Sequence, residues 1–346
     1  MAPKFTRKDM RGVVGMQPTP STPNASSWRE TMSVDLKTAE RLFNQTMKSG
    51  VAGYALCGTT GECAALLWEE KLAYVKTAVE TTRGRAFVFG GATALGTKEV
   101  IRQIRGFKDA GADGAFVGLP LWQTPTVENS VAFYQDLGEA VPDMAIMIYS
   151  NASFFKTDFP HEFWAGVGKK AASVVTNKIT YSSKDLQKDM DACPNIQFLP
   201  GLFGVINQAR KYPGAFHGAW STQSSPEPLV EAVKAVERND HKRMEEIEAD
   251  VKKLPPFTPG RAAAPAAAPA APPTPPTWAQ RIEAPFAHYN AQAEREGWNA
   301  SPYFTGGLGP PRPPYRDLPD DWKQTIGVWA KASHEMSLKY VQAASR

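Results

Sequence analysis

A lysine stands where a buried strand is expected to end. Residues 173–177 (Ser-Val-Val-Thr-Asn) have the composition of a buried strand, and Lys178 follows them directly. Burying an ammonium group without a partner is costly and lowers its pKa, which favours the neutral amine. Because a neutral amine can attack a carbonyl carbon, Lys178 is a candidate for Schiff-base formation. The alternative is a shorter strand with Lys178 pointing into solvent.

Hydroxyl groups occupy comparable positions in two other segments. Residues 58–62 (Gly-Thr-Thr-Gly-Glu, called the 58–62 turn) follow a short apolar run. The glycines permit a tight turn, and the two hydroxyls with the adjacent backbone N–H groups suit a carboxylate ligand. Tyr149 ends the apolar run at 144–148. The alternatives are an ordinary turn with a helix cap at Thr60, and a tyrosine at the edge of the core whose hydroxyl meets water.

The elements that must position these residues follow a repeating pattern. Apolar runs alternate with segments of helical periodicity between residues 12 and 220, roughly every 25–30 residues, which is typical of βα units. The predicted strands are 12–17, 53–57, 86–90, 114–118, 145–149, 173–178, 197–200 and 215–220, and the predicted helices are 35–48, 68–82, 97–110, 127–140, 160–167, 183–192 and 202–211. Eight strands predict an α/β fold of the (β/α)8 TIM-barrel type, in which chemistry occurs at the carboxyl ends of the strands.

The remaining chain predicts a helical extension after the barrel. We divide the chain into a barrel domain, residues 1–225, and a C-terminal helical extension, residues 226–346. One long helix is expected over 226–253. The stretch 255–276 is mostly Pro, Ala and Thr, which favours a flexible surface insertion. Helical patterns resume at 278–297 and 320–344.

Composition excludes several classes of function. The formal net charge of +4 is spread over 346 residues with no run of five or six like charges, so we expect no nucleic-acid partner. No apolar stretch is long enough for a membrane span, and the N-terminus has no secretory pattern. Three cysteines lack metal-ligand spacing and indicate reduced thiols. We therefore expect a cytoplasmic protein with no metal.

The 58–62 turn after strand two, Tyr149 at the end of strand five and Lys178 at the end of strand six form an ordered set. This set resembles the dihydrodipicolinate synthase / N-acetylneuraminate lyase family of pyruvate-dependent class I aldolases. Local sequences are similar to one branch, the trans-o-hydroxybenzylidenepyruvate hydratase-aldolases. The segments that carry this second resemblance are 58–64, 68–71, 94–102, 158–160, 163–164, 289–290 and 297–298.

Departures from the dihydrodipicolinate synthases concern the second substrate. Those enzymes carry an arginine shortly after the strand-five tyrosine, whereas residues 150–155 here (Ser-Asn-Ala-Ser-Phe-Phe) contain none. They also carry a tyrosine pair after strand four, where this chain has Leu-Trp at 121–122. Loss of a cation and gain of Trp122, Phe154 and Phe155 suit an apolar, aromatic substrate. Core packing is the alternative for these three aromatic residues.

The resemblance implies a hydratase-aldolase that converts a benzylidenepyruvate-type substrate into an aromatic aldehyde and pyruvate. It implies no cofactor beyond the lysine Schiff base, and a homo-oligomer, either a trimer or a tetramer. The implied catalytic residues are Lys178 as nucleophile, Tyr149 as proton relay and Thr59. The implied substrate-binding residues are Thr60, Gly58, Asn151, Trp122, Trp220 and Asn290.

Two rival functions stay open at this point. One is another pyruvate-dependent lyase, such as a sugar-acid aldolase or a dihydrodipicolinate synthase-like enzyme. The other is a non-catalytic barrel that binds a 2-oxo acid. The aromatic residues disfavour the first, and the presence of Lys178, Tyr149 and Thr59 together disfavours the second.

Overall fold

Eight parallel strands form one sheet in the computed structural model, which describes residues 2–180, 183–211, 218–221, 225–259 and 285–344. The strands are β1 Val13–Met16, β2 Val51–Ala55, β3 Phe87–Gly91, β4 Gly114–Val117, β5 Ala145–Asn151, β6 Val174–Thr180, β7 Gln197–Leu199 and β8 Gly218–Ser221. Their order in the sheet is β7-β6-β5-β4-β3-β2-β1-β8. Among the described residues, β7 and β8 do not pair with each other. The structure therefore shows a parallel sheet with outer helices, and closure of this sheet into a barrel stays a prediction.

Helices connect the strands and cover the sheet. They are α1 Leu36–Lys48, α2 Trp68–Thr82, α3 Thr97–Asp109, α4 Val127–Ala140, α5 Ala152–Phe155, α6 His161–Lys170, α7 Leu186–Ala192, α8 Leu202–Lys211, α9 Glu227–Glu237, α10 His241–Lys252, α11 Pro285–Ala300 and α12 Asp320–Ala344. Polar side chains cap the N-termini of several helices. At α1 the Asp35 carboxylate accepts a hydrogen bond from the backbone N–H of Thr38, and at α4 the Thr126 hydroxyl accepts one from the backbone N–H of Asn129.

Most strand residues are buried because helices cover one side of the sheet and packed side chains cover the other. In β5, the residues from Ala145 to Ser150 are all buried. Tyr149 in β5 lies directly opposite Lys178 in β6. Both strands run two residues further than predicted, so these two residues lie within paired strands near the carboxyl ends. Strand pairing thus sets the backbone of the site.

The prediction of one helix over 226–253 was wrong. Helix α9 ends at Glu237 and α10 begins at His241, with Asp240 accepting from the N–H of Arg243 as its cap. Asn239 between them has φ 55°, a left-handed conformation that a continuous helix cannot contain. Asparagine tolerates this conformation better than most residues, which explains the break.

The two last helices pack on each other and on the sheet domain. A second apolar cluster of Ala293, Leu318, Trp322 and Ile326 lies between α11 and α12. Helix α9 packs against β1, β8 and α8, and α12 packs against α9. The predicted insertion at 255–276 lies outside the described residues from residue 260 onward. The start of the predicted eighth strand, 215–217, and the start of the predicted helix at 278–297, residues 278–284, also lie outside them. The division at residue 225 stays a prediction.

None of the helices built from the described residues combines the length and hydrophobicity of a membrane span.

Candidate active site

Lys178 is buried beside Tyr149 at the carboxyl end of the sheet. Its side chain is 6% exposed, and its Nζ lies 4.7 Å from the centroid of the Tyr149 ring. The solvent-exposed alternative for this lysine was therefore wrong. Burial lowers the pKa of Lys178 to about 8, and the negative charge of Glu294 opposes this shift. About a tenth of the amine is therefore neutral at pH 7, far more than for an ordinary lysine, and the neutral form is the nucleophile.

Tyr149 carries its hydroxyl into a hydrogen-bonded group. The hydroxyl lies 3.1 Å from Thr59 Oγ1 and accepts a hydrogen bond of 3.0 Å from Asn151 Nδ2. Its ring packs against those of Phe116 and Phe155, with centroids 4.8 and 5.3 Å away. Burial raises the pKa of Tyr149, and the Thr59 and Asn151 hydrogen bonds lower it. The phenol therefore stays protonated and can donate to a substrate oxygen.

Backbone geometry shapes the 58–62 turn. Glu62 has φ 55° and Cys57, just before the turn, has φ 48°, so non-glycine residues in the left-handed region stand at both ends. A Cβ at Gly61 would lie 2.9 Å from Cys57 Cα, which leaves no space for a side chain. Such conformations persist only where the surrounding structure enforces them.

Thr59 and Thr60 of the turn line the same cavity as Lys178. The N–H of Glu62 donates to the carbonyl of Thr59 over 2.9 Å, whereas no acceptor in the described part of the chain bonds the N–H of Thr59 or Thr60. The next helix, α2, begins only at Trp68, so the helix-cap alternative for Thr60 was wrong. Free N–H donors in a tight turn form an anion-binding concavity.

Glu294 is a site residue that the sequence did not reveal. It lies in α11, is 5% exposed, and forms a hydrogen bond with the Thr60 side chain. Burial raises the pKa of Glu294 to about 7, and the Thr60 hydrogen bond and the Lys178 charge lower it. Asn290 stands four residues earlier on the same helix, so it shares this face. The four-residue spacing from Asn290 was the one feature of the sequence that could have pointed to Glu294.

A buried ion triad joins the 58–62 turn to the C-terminal extension. Glu62 Oε2 accepts hydrogen bonds of 2.6 Å from both Arg295 Nη2 and Arg312 Nη1, and all three side chains are at most 2% exposed. Arg295 also donates to the Thr19 carbonyl, and Arg312 to the carbonyls of Thr19, Pro20 and Ser33. Sequence analysis placed neither arginine in the site, because nothing local indicates so distant a partner.

The other predicted site residues differ in how closely they approach Lys178. Gly58 lines the cavity beside the lysine. Asn290 is half-buried in α11. Trp122 follows β4 with its side chain 79% exposed, and it does not line that cavity. Trp220 lies in β8 opposite Gly15, but its side chain is outside the described part of the structure.

A small cavity occupies the space between these groups. Its lining residues are Met16, Gln17, Ala55, Gly58, Thr59, Thr60, Gly61, Phe116, Tyr149 and Lys178. A larger cavity, about 860 Å³, lies at the opposite end of the sheet, by Arg7, Arg11 and the start of β7. It contains none of the site residues above. The described residues include no cluster of three or more His, Cys, Asp or Glu side chains arranged for a metal.

Comparison with known proteins agrees with this geometry. A sequence model of the dihydrodipicolinate synthetase family matches residues 20–180. A trans-o-hydroxybenzylidenepyruvate hydratase-aldolase from Pseudomonas aeruginosa is 36% identical, covering 97% of this chain and 96% of that protein. The enzyme of the same name from Sphingobium xenophagum is 34% identical, covering 91% of this chain and 90% of that protein.

A solved structure supports the same relationship. PhdJ bound to a substrate intermediate superposes with a TM-score of 0.83 at 27% identity, covering 98% of this chain and 99% of that one. Sequence and structural similarity thus extend over nearly the whole chain, including the extension that supplies Glu294 and the two arginines. The chain belongs to the dihydrodipicolinate synthetase family, within its branch of hydratase-aldolases, which are carbon–carbon lyases.

Proposed function

We propose that the protein is a Schiff-base-forming hydratase-aldolase that converts an aryl-substituted 2-oxobut-3-enoate and water into an aromatic aldehyde and pyruvate, reversibly. The observation that carries this proposal is the buried Lys178 amine, 4.7 Å from the ring centroid of Tyr149, whose hydroxyl lies 3.1 Å from Thr59. The names of the relatives, hydratase-aldolases for benzylidenepyruvate substrates, support the substrate class.

The first steps form the Schiff base. The neutral Lys178 amine attacks the ketone carbon of the substrate, the carbonyl oxygen is protonated through Tyr149, and the resulting hydroxyl leaves as water. The free N–H groups of Thr59 and Thr60, together with the Thr59 hydroxyl, hold the substrate carboxylate. The product is an iminium ion conjugated with the carbon–carbon double bond, which makes the benzylic carbon electrophilic.

Hydration and cleavage follow on the iminium. Water adds its oxygen to the benzylic carbon and loses a proton, and the neighbouring carbon takes up a proton. Tyr149 then relays the proton from the new hydroxyl, and the bond between these two carbons breaks. The aldehyde leaves, the bonding electrons remain as an enamine, and protonation followed by hydrolysis releases pyruvate and the free lysine.

The aldehyde end of the site is built from polar and aromatic residues. We assign Asn151 and Asn290 to positioning the water, and Trp122 and Trp220 to contacting the aryl group. Asn151 donates to the Tyr149 hydroxyl, which keeps its amide beside the reacting oxygen. The absence of a basic residue from 150–155 favours an uncharged aromatic group over a second carboxylate.

Trapping with pyruvate and borohydride tests the proposal. Intact mass should show a pyruvyl adduct on the wild-type protein and none on Lys178→Ala. Lys156→Arg, at the same end of the sheet but outside the cavity, is the matched control and should retain the adduct. Absence of an adduct on the wild type would refute the lyase mechanism and favour a 2-oxo-acid-binding protein. An adduct without turnover of aromatic aldehydes would favour another pyruvate lyase.

The remaining features of the protein follow the same assignment. We infer that the sheet closes between β7 and β8 into a (β/α)8 barrel formed by residues 1–225, with residues 226–346 as the extension. We further propose a cytoplasmic trimer or tetramer that needs no cofactor beyond the lysine.

A further inference from the structure

Glu294 combines deep burial with an oxygen that has no partner. Its side chain is 5% exposed, and Oε2 has no hydrogen-bond partner among the described residues. Buried polar atoms are normally bonded, so an unpartnered carboxylate oxygen within a site indicates a group awaiting a ligand or a proton. The mechanism above does not use this residue.

The position of Glu294 is fixed from both sides. The Thr60 side chain forms a hydrogen bond with its carboxylate. The next residue, Arg295, is held by Glu62 and by the carbonyls of Thr19 and Leu308. A carboxylate held in this way loses little entropy when it exchanges a proton, and it cannot move away to solvent.

We propose that Glu294, acting through the Thr60 hydroxyl that lines the cavity beside Lys178, accepts the proton that the Lys178 ammonium must lose before attack, and returns it to the hydroxyl that leaves as water. This inference rests on the proposed Schiff-base function and extends it. Glu294 thus exchanges one proton with the reacting groups and serves as an acid–base residue of Schiff-base formation.

The proton balance closes over Schiff-base formation. The ammonium gives one proton to the Thr60 hydroxyl, which passes its own proton to the Glu294 carboxylate, and the neutral amine forms a bond to the ketone carbon. A second nitrogen proton passes to the carbonyl oxygen through Tyr149, giving a carbinolamine. The carbon–oxygen bond then breaks as the Glu294 carboxyl protonates the leaving hydroxyl, and the nitrogen lone pair forms the iminium. Glu294 ends as a carboxylate, and one water is released.

The charges around the pair favour this exchange. Lys178 is the one ionic group whose charge acts on Glu294 within the described structure. The Glu62 carboxylate is bonded to Arg295 and Arg312 and offsets one of their two positive charges, and the Glu70 carboxylate also acts on Arg312.

The other titratable groups near Glu294 are either neutral or exert their charge on a different residue. Tyr149 and Cys63 are neutral because burial raises the pKa of both. From α12, Lys323 acts on Glu296. The pKa values of about 8 for Lys178 and about 7 for Glu294 are close enough for a proton to move between them at little cost.

The rate of adduct formation tests the inference. Full-length wild type, Glu294→Gln and Glu296→Gln are mixed with pyruvate, trapped with borohydride at successive times, and analysed by intact mass from about pH 6 to 9. The amide introduced by Glu294→Gln preserves the shape of the side chain and can still accept from Thr60. Glu296, two residues along the same helix and half-buried, is the matched control.

A proton-accepting role and a counter-ion role for Glu294 predict opposite changes in the rate of adduct formation. Under the proposal, Glu294→Gln forms the adduct at least about tenfold more slowly near neutral pH. The acid limb of its pH profile also shifts to lower pH, because loss of the negative charge lowers the pKa of Lys178. Adduct formation as fast as, or faster than, in the wild type would overturn the inference and leave Glu294 as a counter-ion only. No adduct on the wild type would refute the Schiff-base function, and the inference with it.

Discussion

Replacing Glu62 by glutamine tests whether the buried triad holds the C-terminal extension against the 58–62 turn. The substitution removes the carboxylate that accepts from Arg295 and Arg312, each over 2.6 Å. Two guanidinium groups, each 2% exposed, then remain buried without their counter-ion. The carbonyl acceptors around them persist, but they carry no charge.

Removing one member of a buried ion pair costs about 3–5 kcal/mol, because the remaining charge is left uncompensated. For a chain of 346 residues the entropy of unfolding is about 0.7 kcal/mol per kelvin. The expected fall in Tm is therefore about 4–7 °C. Because Glu62 ends the turn that carries Thr59 and Thr60, we also expect KM for pyruvate to rise.

Calorimetry and denaturant unfolding of Glu62→Gln measure the loss in the free energy of unfolding. The matched control is Glu99→Gln, which removes an exposed partner of Arg102 in an i,i+3 pair and should cost less than about 1 kcal/mol. A loss for Glu62→Gln as small as that of the control would refute the reasoning, since it would show that the arginines do not depend on this carboxylate.

Three further predictions concern the site itself. Tyr149→Phe should lower aldehyde release by about 10²–10⁴-fold, and Lys178 should still be trapped by pyruvate, but more slowly; Tyr134→Phe, which loses a bond to the Val117 carbonyl, is the control, and equal kcat in both would contradict the relay. The rate of adduct formation in the wild type should rise about tenfold per pH unit and level off above about pH 8, because only the neutral amine reacts; a plateau already near pH 6 would contradict this assignment. Gly61→Ala should weaken pyruvate binding measured by calorimetry, because its Cβ would stand 2.9 Å from the Cys57 backbone. Gly96→Ala, which has open space around it, is the control and should bind pyruvate as the wild type does. Equal affinities in the two variants would show that the 58–62 turn can accommodate the added methyl group.

Strands and helices of the sheet domain could be predicted because their signals are local. Apolar runs of strand length and helical periodicity arise from neighbouring residues, and the family motif placed Lys178, Tyr149 and the 58–62 turn at strand ends. The break at Asn239 was missed because amphipathic periodicity continues across a single left-handed residue. Propensity alone does not show where such a break falls.

Tertiary structure decided what surrounds the lysine. Glu62 meets Arg295 and Arg312 from 233 and 250 residues away along the chain, and Glu294 reaches Thr60 across a similar separation. No local pattern encodes such pairings, because a buried charge finds its partner only when distant elements pack. Side chains alternate between the two faces of a strand, so a one-residue change of register would also have turned Lys178 away from Tyr149. The sequence by itself determined which nucleophile and which turn are available, whereas tertiary packing determined the burial that lowers the pKa of that nucleophile and the Glu294 charge that opposes the shift.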